Sequence, residues 1–189
     1  MNRRRLIGAL ASAICLGVIP RRTAQARPRL RPPGALAPGA FEQTCIGCYR
    51  CAEVCPTTAI RFPTGLSLEA ALPYLEPRAA ACVLCMQCTQ VCPTQALVPL
   101  VAERASVQAQ VKIGVPVLAR NRCLPWTGAG GCRLCFEVCP YPNSAVELVG
   151  AQLGPLFHPD KCVGCGLCEE ACPDGAHAIS IAPPGNARG

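Results

Sequence analysis

The chain has 189 residues, among them 17 cysteines, 20 prolines and 17 glycines, and only 4% are aromatic. At about 9% cysteine, thiol chemistry rather than a large apolar core sets the architecture, and segments this poor in bulk need disulfides, metals or partners to stay folded. The formal charge of +7 carries no case for nucleic-acid binding: Arg3, Arg4, Arg5, Arg21 and Arg22 fall in a predicted leader, and the remaining thirteen basic residues face eleven acidic ones.

Residues 1–26 read as an export signal. Asn2-Arg3-Arg4-Arg5-Leu6-Ile7 resembles the twin-arginine pattern of paired arginines, any residue, then two apolar residues. The apolar stretch from Leu6 to Ile19 is 14 residues, the length of a signal core and short for a membrane span. Ala24-Gln25-Ala26 follows as a small-x-small cleavage site; an uncleaved N-terminal anchor is the alternative. Cys15 lies inside the apolar run and receives no ligand role. Residues 27–40 read as a Pro/Arg-rich linker.

Beyond the leader the cysteines fall into four groups of four. Group one is Cys45, Cys48, Cys51 and Cys55; group two is Cys82, Cys85, Cys88 and Cys92; group four is Cys162, Cys165, Cys168 and Cys172. Each follows the C-x2-C-x2-C-x3-C-P run of bacterial ferredoxins. Group three displaces its first cysteine, Cys123, by an insertion from Leu124 to Gly131, then keeps the spacing at Cys132, Cys135 and Cys139. Three glycines and a proline in the insertion allow the loop to fold back and deliver Cys123.

The spacing has a physical basis. Three cysteines two residues apart lie on one tight loop that wraps a cubane from three sides. The third and fourth are i and i+4, about 6 Å apart along a helix axis, which suits a bridge to a neighbouring cluster. In two-cluster ferredoxins the fourth cysteine does ligate the other cluster. Pro56, Pro93, Pro140 and Pro173 then end the turn.

Short apolar runs follow each proline and read as strands: Thr58 to Phe62, Gln95 to Val98, Ser144 to Leu148 and His177 to Ile181. Val115 to Ala119 and Gly154 to Phe157 read as strands entering groups three and four. The expected fold is therefore α+β: two tandem ferredoxin-like double-[4Fe–4S] modules of short strands and short helices. The first spans 41–101 and the second 115–182, with a linker at 102–114 and a tail at 183–189. The groups are separated by 26, 30 and 22 residues in turn, which favours pairing one with two and three with four. A nested arrangement, one with four and two with three, is the alternative.

Sequential pairing assigns four [4Fe–4S] clusters. Cluster 1 takes Cys45, Cys48, Cys51 and Cys92; cluster 2 takes Cys82, Cys85, Cys88 and Cys55. Cluster 3 takes Cys123, Cys132, Cys135 and Cys172; cluster 4 takes Cys162, Cys165, Cys168 and Cys139. A disulfide scaffold would not demand this motif three times, and zinc sites use separated cysteine pairs. His158 and His177 stand alone and read as structural. Tyr49, Tyr141 and Phe136, beside ligands, read as shields against water, and Lys161 and Arg133 as solvated charges. Trp126 reads as a packing anchor, with docking as the alternative. No nucleophile–base set, phosphate loop or dinucleotide fingerprint is present, so no catalytic residue is assigned.

Taken with Arg29-Leu30-Arg31-Pro32-Pro33-Gly34-Ala35 and the extended third group, the chain resembles the MauM/NapG-type ferredoxin proteins over nearly its whole length. Its compact group two departs from the longer gap before the third cysteine expected of NapG-like proteins. The resemblance implies a periplasmic electron carrier exported folded by the twin-arginine translocase. It would work between a membrane-embedded iron–sulfur quinol dehydrogenase partner and a periplasmic acceptor such as nitrate reductase. The alternative within the family is an accessory or maturation factor for an enzyme such as methylamine dehydrogenase.

Overall fold

Apolar runs of four or five residues cannot bury a face alone; they must pair, and here they pair as short antiparallel ladders. The computed structural model describes residues 29–64 and 71–185. The expected leader, with the twin-arginine pattern, the expected cleavage site and Cys15, lies outside these residues.

In the first half, α1 (Ala40–Thr44) buries Phe41, and α2 (Arg50–Glu53) carries Cys51. Strand β1 (Ile60–Arg61) pairs antiparallel with β2 (Tyr74–Leu75), and α3 (Gln87–Gln90) carries Cys88. In the second half, α4 (Arg104–Gln110) leads into β3 (Val115–Leu118). A 3-10 turn (Arg120–Arg122), α5 (Leu124–Thr127) and α6 (Leu134–Glu137) follow. The hairpin β4 (Val146–Val149) and β5 (Gly154–Phe157), α7 (Leu167–Glu170) and β6 (Ile179–Ala182) complete it. Strand β3 pairs with β6 across the whole half, from Val115 opposite Ala182 to Leu118 opposite Ile179, while β4 and β5 pair locally. The expected strands in this half all form.

Four of the helices are single turns that begin just before or at the third cysteine of a group. They stop before the fourth because the following proline excludes helical backbone there. The side chains of Phe41, Met86, Leu97, Val111, Val146 and Val163 are almost completely buried. Cys51, Cys88, Cys123, Cys135, Cys165, Cys168 and Cys172 belong to one buried body with Phe41, Met86, Leu97, Val111 and Val163. In an aromatic-poor chain, sulfur supplies the volume that Phe or Leu would fill elsewhere.

Two segments expected to be linkers differ from that reading. Leu30 is buried, and its carbonyl accepts the N–H of Leu75 at 2.8 Å. Ala35 bridges to Leu97, the Leu36 N–H donates to the Ala96 carbonyl at 3.0 Å, and Val98 N–H donates to Gly34 at 2.8 Å. Residues 29–40 thus bridge to the first half at Leu30 and Ala35 rather than standing free as a linker. Pro32 and Pro33 lack N–H groups, so the ladder cannot extend and the sequence carries no strand period. Gly34, at φ +75°, is fixed by close approach: a Cβ there would lie 2.6 Å from the Val98 carbonyl oxygen.

Likewise 102–114 is packed rather than free, with the α4 helix inside it. Val107, Val111 and Ile113 are buried, the Ile113 N–H donates to Val163 O at 2.9 Å, and Gln108 reaches Ser144 and the Lys161 carbonyl. Among the described residues no helix is long and apolar enough to cross a membrane.

Candidate iron–sulfur centres

The three compact cysteine loops share one backbone device. Two residues after the first cysteine and one after the second, the chain turns left-handed: Gly47 and Tyr49, Leu84 and Met86, Gly164 and Gly166. Alternating hand rotates successive N–H groups to one side, a nest suited to negative charge. The Gly164 N–H donates to Cys162 Sγ at 3.4 Å. Leu84 and Met86 adopt this conformation despite its cost to a residue with a Cβ.

Group three reaches a similar end by another route. Cys123 precedes α5 as its N-cap, and the chain returns through Gly128 (φ +72°) and Gly130 (φ +155°) to Cys132. Trp126 anchors the excursion. Its Nε1–H donates to the Pro155 carbonyl at 3.1 Å, its ring lies against Gly154, and Arg120 stacks over it at 4.3 Å. Trp126 therefore packs, as expected.

These loops bring the thiols together in four places. Cys45, Cys48, Cys51 and Cys92 line one cavity, with Phe41, Tyr49, Phe62 and Leu97 around them. Cys55, Cys82, Cys85 and Cys88 line a second, closed by Ile60, Leu75 and Met86. Cys123, Cys132, Cys135 and Cys172 line a third, among Leu124, Leu134 and Ile179. Cys139 faces Cys162, Cys165 and Cys168, close enough for its charge to act on all three. Among the described residues all sixteen cysteines are free thiols, and no three potential ligands converge tightly enough to hold a single metal ion. The sulfurs ring a space rather than a point, and an all-thiol donor set in an apolar wall suits an iron–sulfur cubane.

The electrostatics point the same way. Burial, then the nearby Cys45 and Cys48 charges, push Cys51 up to about 11. Burial first, then Cys82 and Cys51, push Cys88 to about 12; burial first, then Cys123 and Cys132, do the same to Cys135. Cys165 also reaches about 12 and Cys168 goes well above its ordinary value, both chiefly by burial. Four thiolates cannot share such a space without positive charge between them, which is what bound iron supplies.

N–H groups aimed at sulfur temper the cost. Leu97 donates to Cys92 Sγ at 3.4 Å, Tyr141 to Cys139 at 3.4 Å and Ala178 to Cys172 at 3.3 Å. At Cys92 burial raises the pKa, but the donors from Leu97 and Thr94 outweigh it and the thiol sits below its ordinary range. Such donors also tune cluster potentials.

The remaining singled-out residues behave as follows. Tyr49 stacks on Phe62, centroids 4.0 Å apart, at the first cavity. Tyr141 is buried, and its hydroxyl donates to the Arg104 carbonyl at 3.0 Å. His158 pairs with Glu147, His177 lies near Asp174, and Arg133 pairs with Glu137. Sequence reasoning missed four contributors. Thr57 and Thr94 place hydroxyls 3.8 Å from Cys55 and Cys92, and their shared offset from the fourth cysteine was a legible signal. Arg104 lies over the Tyr141 ring and donates to the Pro140 carbonyl. Lys112 donates to the carbonyls of Asp160 and Cys162 at 2.6 and 3.0 Å. No motif marked either cation.

Thiols set around apolar spaces, three from one loop and a fourth from another, define a ferredoxin-type iron–sulfur protein. Family models agree: residues 44–96 match a 4Fe-4S dicluster domain, 155–176 a 4Fe-4S binding domain and 81–142 a 4Fe-4S double cluster binding domain. The last match straddles groups two and three, whereas the cavities combine one with two and three with four. Near-identical motifs let a two-motif pattern register on any adjacent pair.

Over 195 aligned residues the chain is 33% identical to the ferredoxin-type protein NapG of Escherichia coli, covering 96% of this chain and 82% of that protein. It is 33% identical over 163 residues to the methylamine utilization ferredoxin-type protein MauM of Methylorubrum extorquens (82% and 72%). With the MauM of Methylophilus methylotrophus the figures are 34% over 178 residues (85% and 74%). The chain belongs to the NapG/MauM family of ferredoxin-type proteins, and it is an iron–sulfur electron-transfer protein.

Proposed function

We propose that the chain holds four [4Fe–4S] clusters in two tandem ferredoxin-like modules. Set one is Cys45, Cys48, Cys51 and Cys92; set two is Cys82, Cys85, Cys88 and Cys55. Set three is Cys123, Cys132, Cys135 and Cys172; set four is Cys162, Cys165, Cys168 and Cys139. The observation that carries this is the composition of the thiol sets: each takes three cysteines from one group and the fourth from its sequential partner. When bound, a cubane cycles between states one electron apart. The chain's own residues bury the thiols, exclude water with apolar walls and aim N–H groups at sulfur.

On this reading the protein relays electrons between a membrane-embedded iron–sulfur quinol-oxidising partner and a periplasmic acceptor such as nitrate reductase. The twin-arginine pattern at 1–26 supports export of the folded, loaded protein, because the clusters must be inserted before translocation. A second reading, an accessory or maturation factor for a periplasmic redox enzyme, is favoured by the relatives named for methylamine utilization.

One experiment separates the two. Anaerobically purified holo-protein, with its membrane partner, is mixed with quinol and then with the acceptor enzyme. Bleaching by quinol and recolouring by acceptor at respiratory rates support the relay. If deletion leaves electron flow intact but the partner enzyme immature, the relay is wrong. A colourless preparation lacking free thiols would sink both readings.

A further inference from the structure

We infer that the four thiol sets are ordered in space one–two–four–three rather than in chain order, with the backbone contact between Cys82 and Cys165 as the junction. The inference deepens the four-cluster reading and rests on it.

Within each half the neighbours are plain. Helix α2, carrying Cys51, packs against α3, carrying Cys88; helix α6, carrying Cys135, packs against α7, carrying Cys168. Set one therefore adjoins set two, and set three adjoins set four. What remains is which sets meet between the halves. The Cys82 N–H, in the loop of set two, donates to the Cys165 carbonyl, in the loop of set four, at 3.0 Å. Just beside it Pro77 packs on Gly166 so closely that a Cβ on that glycine would lie 2.2 Å from the Pro77 Cβ.

Arg78 braces the same junction. Its guanidinium donates to the Cys172 carbonyl at 2.9 Å and the Ile179 carbonyl at 3.4 Å, both on the chain that follows the set-four loop. Cys172 lends its sulfur to set three, but the contact is made by an arginine and not by a thiol-bearing loop. Among the described residues, Cys82–Cys165 is the backbone hydrogen bond that joins cysteine loops of the two halves. Among the described residues no backbone hydrogen bond joins a set-one cysteine to the second half, and Cys48 in that set is the exposed cysteine among the sixteen.

The insertion in group three makes sense of this order. It takes the chain around Trp126 before Cys132, while the compact loop of group four meets group two at Cys165. A relay along this path moves one electron per hop from one set to the next and transfers nothing else. Electrons enter from the quinol-oxidising partner at one outer set and leave to the acceptor at the other.

The test uses the full-length holo-protein, fully reduced, and counts by EPR which signals change when one set is removed. Cys132→Ala removes set three and Cys162→Ala removes set four. The order one–two–four–three predicts that losing set three alters the magnetic coupling of one remaining signal, and losing set four alters two. Chain order predicts the reverse, and that result overturns the inference. Should Cys162→Ala lose iron throughout, set-three removal decides alone, with Cys123→Ala as its repeat: one altered signal upholds the order, two overturn it. Native protein holding well below about sixteen iron and sixteen sulfide per chain overturns the four-cluster reading itself, and the order with it. A full complement with the wrong coupling pattern overturns the order alone.

Discussion

Replacing Gly164 by alanine should destabilise the loaded protein far more than the same change at Gly128, although both glycines have the same backbone hand. Gly164 has φ +75° and Gly128 φ +72°, so the left-handed conformation costs each alanine roughly 1–2 kcal/mol. The surroundings differ. At Gly128 a new Cβ meets nothing within 4 Å, whereas at Gly164 it would lie 2.3 Å from the Gly114 nitrogen and 2.4 Å from the Gly114 oxygen. Those are backbone atoms and cannot rotate away. Relief requires the set-four loop to part from the chain entering β3, which also strains the Ile113–Val163 hydrogen bond of 2.9 Å. Overpacking of this kind adds about 1–3 kcal/mol. At about 2–4 °C per kcal/mol for a chain of this size, the two variants should separate by several degrees. Anaerobic thermal bleaching of the visible cluster absorbance, at one scan rate, reads the difference. Equal midpoints, or a lower midpoint for Gly128→Ala, would refute the claim that Gly114 and Gly164 interlock.

Three further outcomes are expected. Cys123→Ala should lower iron by between one and four atoms from about sixteen per chain and remove or alter the set-three EPR signal; an unchanged iron content would show that the displaced cysteine is no ligand. Lys112→Met should lower the reduction potential of one cluster by roughly tens of millivolts, because a cation that favours the more negative reduced state is lost, and the shift should shrink in high salt; a potentiometric titration with no shift, or an upward one, counts against it. Iron-free protein should lose stability as pH rises from about 9 towards 12. Cys88, Cys135 and Cys165 hold their protons to about 12 in the fold, while an unfolded chain sheds them near 9.0. Above pH 9 the unfolded state binds fewer protons, so each such group contributes a loss of about 1.4 kcal/mol per pH unit. Denaturant midpoints that stay flat from pH 8.5 to 11 would contradict this.

The cysteine groups and the strands after groups one, three and four were legible because their chemistry is local, whereas the strand expected from Gln95 to Val98 is a single bridge at Leu97. A spacing of two residues leaves the chain little choice but a tight loop, and a proline after the fourth cysteine stops the helix wherever it occurs. The segments at 27–40 and 102–114 were not legible, for opposite reasons. Pro32 and Pro33 erase the alternation that marks a strand, so the bridge of Ala35 to Leu97 depends on a partner 62 residues away that no local pattern announces. The Arg104–Gln110 helix and its C-cap do carry apolar residues at helical spacing, Val107 and Val111, but one seven-residue stretch without a cysteine reads as a connector until their burial, and the bond of Ile113 just beyond to Val163, are seen. Arg78, Arg104 and Lys112 act through backbone carbonyls far along the chain, contacts that leave no mark on sequence.

Fold and electron transfer are hard to separate in this chain. Seven of its cysteines are buried in the same body as Phe41, Met86 and Leu97. Burial drives several of those thiols towards the neutral form. Without iron the sets are clusters of protonated thiols around spaces that nothing fills, and the short ladders beside them add little stability. With iron the same thiolates gain a compensating charge, and the N–H groups of Leu97, Tyr141 and Ala178 find an anion to face. The contacts that close the core are then the contacts that set the potentials. The junction of Cys82 with Cys165 is the extreme case: its backbone hydrogen bond, with Pro77 and Arg78 beside it, docks the two halves, and on the proposed order it also decides which thiol sets meet across them.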